Sequence, residues 1–208
     1  MQKWKHLYKV NNRTKHIYIF LASLVLIGVI SGSLLFVFLS EADQTLVLNS
    51  LNNYFLNVRS GELEYFALLR NSVVVNVIFF TSMVILGLSL LGAPLVCFYS
   101  FVKGFILGFM LSAILFKYKV TGIFLAVGYM FPHLIISIIL TMLLSFYALQ
   151  FSYAIFNNIF GKRPRSLKSL FIRYMQVYGI ALVGGLIISC YEVFVVPQVL
   201  RIGLLIFT

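Results

Sequence analysis

Three stretches of this chain carry no charged residue: 17–39, 71–102 and 120–161, of 23, 32 and 42 residues. A helix needs about 20 predominantly apolar residues to cross the hydrocarbon of a bilayer. Runs of this length define a polytopic α-helical membrane protein. Composition agrees, with 62% hydrophobic and 10% charged residues, against roughly 45–50% and about 25% in soluble domains. It excludes an ordinary soluble domain, and it excludes disorder, which requires low hydrophobicity.

Breaks within the runs divide the chain into five spans, all in one integral membrane domain, 1–208. Span 1 covers 17–39, span 2 covers 72–91, span 3 covers 94–116, span 4 covers 122–151 and span 5 covers 174–200. Gly92-Ala93-Pro94 separates spans 2 and 3, because a proline inside a helix removes a hydrogen bond. Span 4 is broken near Pro132, and Pro197 marks the end of span 5. Residues 1–16 form a basic tail, 40–71 an external helical segment and 161–173 a basic loop. The first run exceeds the 7–15 residues of a signal-peptide core, and Ser40-Glu41-Ala42-Asp43 makes a poor cleavage site, so span 1 reads as an uncleaved anchor.

The chain holds 16 Lys and Arg against 5 Asp and Glu. The basic residues cluster at the ends of spans, where they set topology and meet anionic lipid; nucleic acid is not an expected partner. With the N-terminus inside and five crossings, the tail and the 161–173 loop place ten Lys and Arg inside and leave five outside. With span 3 merely re-entrant the split falls to eight and seven. The positive-inside rule therefore favours five crossings, N-terminus inside, C-terminus outside and 40–71 outside, with Lys117 and Lys119 the one discordant pair.

The external segment has helical signals. Ser40 precedes Asp43 by three residues, the spacing of a capping box. Val47, Leu51, Tyr54, Phe55 and Val58 then recur at helical intervals, and Ser60-Gly61 reads as a turn. Leu63, Phe66, Ala67 and Arg70 predict a second short helix, the pair lying along the outer interface. Leu51, Tyr54, Phe55, Arg59, Glu62 and Phe66 are the candidate partner-binding residues of this segment.

Catalytic patterns are missing. There is no HExxH, GxSxG, phosphate-binding loop or dinucleotide turn. The three histidines do not cluster as metal ligands do, and Glu62 and Glu64 point to different helix faces. The expectation is no enzyme, no cofactor, no metal and no small-molecule substrate. Three ionisable residues nonetheless fall at membrane depth: Lys103, His133 and Glu192. Such residues are costly and mark functional paths by default. The structural reading is that Lys103 and Glu192 neutralise each other or snorkel, while His133 satisfies carbonyls freed at Pro132.

Small residues recur at helix-packing spacing. Gly28/Gly32 and Gly104/Gly108 match GxxxG, and Gly185 lies four residues before Ser189. This spacing lets helix backbones approach closely, here within one chain. Leu167, Leu170, Phe171 and Tyr174 share a helical face in the basic loop, which reads as a helix held by anionic lipids at the inner leaflet. Cys97 and Cys190 read as buried small hydrophobes.

Taken in order, these segments resemble the stage II sporulation protein M family of endospore-forming bacteria. The resemblance rests on the basic tail and span 1, residues 51–61 and 66–76, the Gly87 to Pro94 break and Lys103-Gly104-Phe-Ile-Leu-Gly108. It continues through Phe131-Pro132-His133 and Phe171-Ile-Arg-Tyr174 to Gly179, Gly185 and Glu192. Wider relatives often carry Pro-His-Gly-x-x-Glu in span 4; here Leu134 stands for the glycine and Ser137 for the acid, as in the closer sporulation members, which this chain resembles in lacking it. The resemblance implies a five-span, non-catalytic scaffold in the mother-cell membrane at the division septum. Its implied partners are a membrane-associated lytic transglycosylase and an amidase/endopeptidase that thin septal peptidoglycan for engulfment of the forespore. The alternative reading is a small permease or channel subunit with Lys103, His133 and Glu192 lining its path.

Overall fold

The computed structural model describes the backbone of residues 12–61, 63–89, 92–129, 131–160 and 167–207, and the side chains of 14–61, 63–89, 92–119, 133–160 and 167–201. Every regular element among them is helical. In chain order they are α1 (Asn12–Phe38), α2 (Glu41–Ser60), α3 (Tyr65–Gly87), α4 (Gly92–Tyr129), α5 (Phe131–Phe160), α6 (Leu167–Cys190), a π-helical turn (Tyr191–Val195) and α7 (Val196–Phe207). Five segments are long and apolar enough to cross a membrane: Thr14–Phe38, Tyr65–Gly87, Gly92–Lys119, His133–Phe160 and Leu167–Arg201. The expected all-α, five-span class is thus what the chain adopts.

The most extensive helix contact joins α1 to α4. Gly28 faces the backbone of Phe101 and Phe105, and Gly32 faces that of Phe105 and Phe109; reciprocally, Gly104 faces Val25 and Gly108 faces Val29. A Cβ at any of the four would overlap a facing backbone carbonyl. The two GxxxG stripes therefore mesh with each other, and Ser33 Oγ donates across the seam to the Gly108 carbonyl at 3.0 Å. In a bilayer, where lipid removes the hydrophobic drive between helices, such close backbone approach is a main source of association. Beyond the stripe, fully buried Phe36 packs edge-on to Phe109 and Phe116.

A second core lies among α3, α5 and α6, around Phe80, Met83, Leu144, Ala148 and Tyr174. The Tyr174 hydroxyl donates toward the carbonyls of Met83 and Val84, each at 3.3 Å. Gly87 leaves room for that hydroxyl. Gly185 admits the Phe80 ring, whose edge would stand 3.0 Å from a Cβ there. Ser100 and Ser145 bond to each other at 2.9 Å, and Ser152 donates to the Ser89 carbonyl at 3.1 Å. The hydroxyls of Tyr174, Ser100, Ser145 and Ser152 thus find partners beyond their own helices, as an interior without water favours.

Helix α2 closes one end of the bundle. Ser40 caps it by accepting from the Asp43 amide at 3.3 Å and donating to its carboxylate at 2.7 Å. Gly61, at φ 78°, ends it with its amide on the Asn57 carbonyl. The apolar stripe packs downward: Phe55 and Val58 are buried against Val196 and Leu200 of α7, with Leu51, Tyr54 and Tyr118 beside them. Lys117 secures the arrangement by donating to the Leu48 carbonyl at 3.1 Å. The lysine that fits the charge rule poorly thus has a structural use.

Several boundaries differ from the sequence reading. Residues 65–70 are not a separate short helix but the first turns of α3, so span 2 starts at Tyr65. Arg70 remains exposed on that helix. The α4 path is interrupted at Lys119, whose φ of 49° and ψ of −126° lie outside helical values. Near Pro132 the chain passes from α4, which runs to Tyr129, to α5, which starts at Phe131 and runs on to Phe160; proline sits in the first turn of α5, where its missing N–H costs nothing. The described part of the basic loop, from Leu167, is continuous with span 5 rather than a separate in-plane helix, while 161–166 lie outside the described residues. Pro197 does not end span 5 either. A π-helical turn precedes it, with the Val196 amide bonded to the Tyr191 carbonyl, and the helix continues as α7. Cys190 is exposed rather than buried, and Cys97 is half-buried.

Three outcomes test this packing. Gly104→Leu or Gly28→Leu should abolish recovery of folded, monodisperse protein in detergent, because the displaced atom is backbone. Gly179→Ala, whose Cβ meets nothing within 4 Å, should instead match or exceed the wild-type stability, by up to about 1 kcal/mol, read as an unchanged or raised melting temperature. Phe55→Ala should release α2, exposing residues 41–60 to limited proteolysis while the five spans stay protected. Loss of a buried Phe costs about 3–5 kcal/mol, enough to undock one helix.

Candidate functional site

Below α2, helices α3 to α6 enclose a partly open cavity of about 310 Å³ that is lined by Lys103, His133 and Glu192 together. The three ionisable residues of the apolar runs, separated by up to 89 positions, thus converge. Asn71, Ser72, Asn76 and Ser137 add polar groups to the wall.

The local geometry follows from helix register. Ser72 and Asn76 stand one turn apart on α3, and Ser189 and Glu192 one turn apart at the end of α6. These stripes face each other. Ser72 Oγ lies 2.7 Å from Glu192 Oε2 and 3.1 Å from Ser189 Oγ, and Asn76 Nδ2 donates to Ser189 Oγ at 3.0 Å. Glu192 sits in the π-helical turn. The wider turn displaces the residues that follow it relative to α-helical register, and π turns of this kind concentrate at functional sites. The carboxylate is therefore anchored from one side.

Lys103 enters from α4. Its Nζ lies 4.5 Å from the Phe79 ring centroid, a cation–π contact. No carboxylate comes within 4.0 Å of it among the described residues, so it shares a cavity with Glu192 without forming an ion pair. His133 is buried near the start of α5. One turn on, Ser137 is 3% exposed and its Oγ has no hydrogen-bond partner.

A second hollow of about 390 Å³ opens between α2 and α4, lined by Val47, Leu51, Tyr54, Phe109, Ala113 and Ile114 among others. Its wall is almost wholly apolar. No group of three or more His, Cys, Asp or Glu residues with metal-site geometry occurs among the described residues. What the polar cavity offers chemically is binding: one cation, one anchored carboxylate, an imidazole and neutral donors.

The proposed external contact residues divide. Leu51, Tyr54 and Phe55 face the bundle, Phe55 at 4% exposure, because α2 needs its apolar stripe to stay attached. Arg59 is exposed on α2, Phe66 is exposed on α3, and Glu62 lies outside the described residues. The face of α2 turned to solvent carries Leu46, Asn49, Asn53, Leu56 and Ser60, with an open depression along Leu56, Asn57, Arg59 and Ser60. Sequence reasoning passed over Ser72 and Asn76, and named Ser137 only as the residue that stands for an acid. The signal was present, since an asparagine one turn after a serine inside a charge-free run needs an interhelical partner.

Comparison with curated proteins and with solved structures gives no match. Comparison with family models does: the family described as Stage II sporulation protein M matches residues 17–197, from span 1 through α2 and the cavity-lining helices to Pro197. With its five spans and a match over most of its length, the chain belongs to the stage II sporulation protein M family, as a sporulation-related multi-pass membrane protein.

Proposed function

We propose that this protein is a non-catalytic scaffold that recruits and holds peptidoglycan hydrolases for septal wall thinning and forespore engulfment. The partners are a membrane-associated lytic transglycosylase and an amidase/endopeptidase, and the site of action is the mother-cell membrane at the septum. The observation that carries this reading, beside family membership, is the architecture of α2. It is a helix outside the spans, capped at both ends and clamped by Phe55, Val58 and Lys117, with an opposite face left exposed. A helix fixed in this way presents its outer residues at defined positions, which is what a docking platform needs. The charge rule places α2 and the C-terminus outside, with the tail and the 161–173 loop on anionic lipid inside.

The permease reading is favoured by one observation, the convergence of Lys103, His133 and Glu192 on one cavity. It requires that Lys103→Leu with Glu192→Leu abolish activity at unchanged protein level.

The scaffold reading is tested on the outer face of α2. Leu46→Glu with Leu56→Glu alters that face and leaves the inner stripe intact. Hydrolases recovered with tagged protein from sporulating membranes should fall at least about tenfold, the effect of losing ~1.4 kcal/mol of binding, at unchanged protein level. Undiminished hydrolase recovery would sink this assignment of the contact face. Recovery of transport subunits or a cytoplasmic ATPase instead would put the permease reading first.

A further inference from the structure

The polar cavity and the apolar hollow share two wall residues, Tyr54 and Met110. They are neighbouring compartments of one site, polar at one side and apolar at the other. We propose that this site binds a zwitterionic aminophospholipid, with its phosphate toward Lys103 and Ser137, its ammonium toward Glu192 and an acyl chain along the hollow between α2 and α4.

Each part of the ligand answers a group that the protein leaves incomplete. Lys103 has a ring face as its neighbour and no carboxylate within 4.0 Å among the described residues. Glu192 acts on it across the cavity without touching it, and a phosphate would supply a contacting charge and acceptors. Ser137 Oγ lies at the same wall, buried and without a partner; it is a donor for the same phosphate. Glu192 has one oxygen engaged by Ser72. A carboxylate held in place by a neighbour is a strong acceptor for an ammonium.

Simpler occupants fit less well. Water or a small ion would fill the polar side and leave the apolar hollow unexplained. A bare acyl chain would leave Lys103 and Ser137 unanswered. A purely anionic head would bring its charge against Glu192. The two volumes, about 310 and 390 Å³, lie within the range of built small-molecule sites. This site is separate from the outer face of α2, so the loss of hydrolase docking would leave it standing.

The test uses the full chain reconstituted in nanodiscs of equal phosphatidylethanolamine and phosphatidylglycerol, released into native mass spectrometry. One phosphatidylethanolamine should be retained, enriched at least about tenfold over phosphatidylglycerol. Lys103→Gln and Glu192→Gln should each erase that enrichment, and Lys103→Arg should restore it. Val47→Trp, which fills the hollow from α2, should release the lipid as well; as a change outside the bundle core it remains informative where the Lys103 variant fails to fold. Equal retention of both lipids would overturn the zwitterionic head. Undiminished retention in Val47→Trp, or displacement of the lipid by equimolar soluble phosphoethanolamine, would overturn the acyl compartment and leave a headgroup site only. A bound peptide mass in place of lipid would overturn the proposal outright.

Discussion

Everything else in this molecule is arranged around one backbone contact, the meshing of α1 with α4 at Gly28, Gly32, Gly104 and Gly108. In a bilayer two helices gain little by burying leucines against each other, since lipid tails are equally apolar. Close approach changes the balance. Main-chain atoms come into contact, dispersion accumulates over many pairs, and Ser33 reaches the Gly108 carbonyl. The contact also fixes the rotation of α4 about its axis. Lys103 immediately precedes Gly104, so seating the glycine against Val25 sends the lysine to the flank of the seam, toward Phe79 and the cavity. A packing motif and an ionisable side chain are thereby set by the same register.

The same logic explains how the interior holds polar groups. Ser100 with Ser145, Thr81 with Tyr178, and Ser72 and Asn76 with Ser189 and Glu192 are all pairs across helices. Each specifies which faces meet, because a hydroxyl left unpaired inside the bundle is costly. Ser137 departs from this pattern, and it does so on the wall of the cavity. Proline plays a comparable double part at Pro197. It lacks the amide that an α-helix would use at that position, and the π-helical turn before it accommodates the loss while carrying Glu192. An acidic residue in the last span is thus placed by a backbone irregularity that its own neighbour requires.

Much of this was legible in the sequence, for physical reasons that can be named. Charge-free runs give spans because the bilayer penalises every charge within them. The capping box at Ser40 and the turn at Gly61 give α2, since both act locally. The two GxxxG motifs announce close packing, although not that they pack on each other. Boundaries were less legible. Tyr65 to Arg70 carry helical and interfacial signals at once, and only the continuity of the hydrogen bonds into α3 decides between them. Pro197 looks like a stop unless the π turn is known. The convergence of Lys103, His133 and Glu192 was beyond periodicity altogether: a pattern tells which face of each helix is polar, and only the packing tells which faces meet.

The role of α2 shows why an apolar stripe on an external helix is ambiguous. Leu51, Tyr54 and Phe55 satisfy every sequence criterion for a binding surface, and the structure uses them to hold the helix down. An amphipathic helix outside a membrane bundle has one apolar face and two possible claimants, the bundle and a partner. When the bundle takes it, as the α7 and Tyr118 contacts require here, any partner must read what remains: Leu46, Leu56, Arg59 and the polar residues between them. That face is narrower and more polar, and a docked partner would therefore depend on hydrogen bonds and rim charge more than on buried area. The same attachment roofs the cavity, because Tyr54 faces inward only while α2 is seated. Whatever dislodges α2 alters both surfaces together.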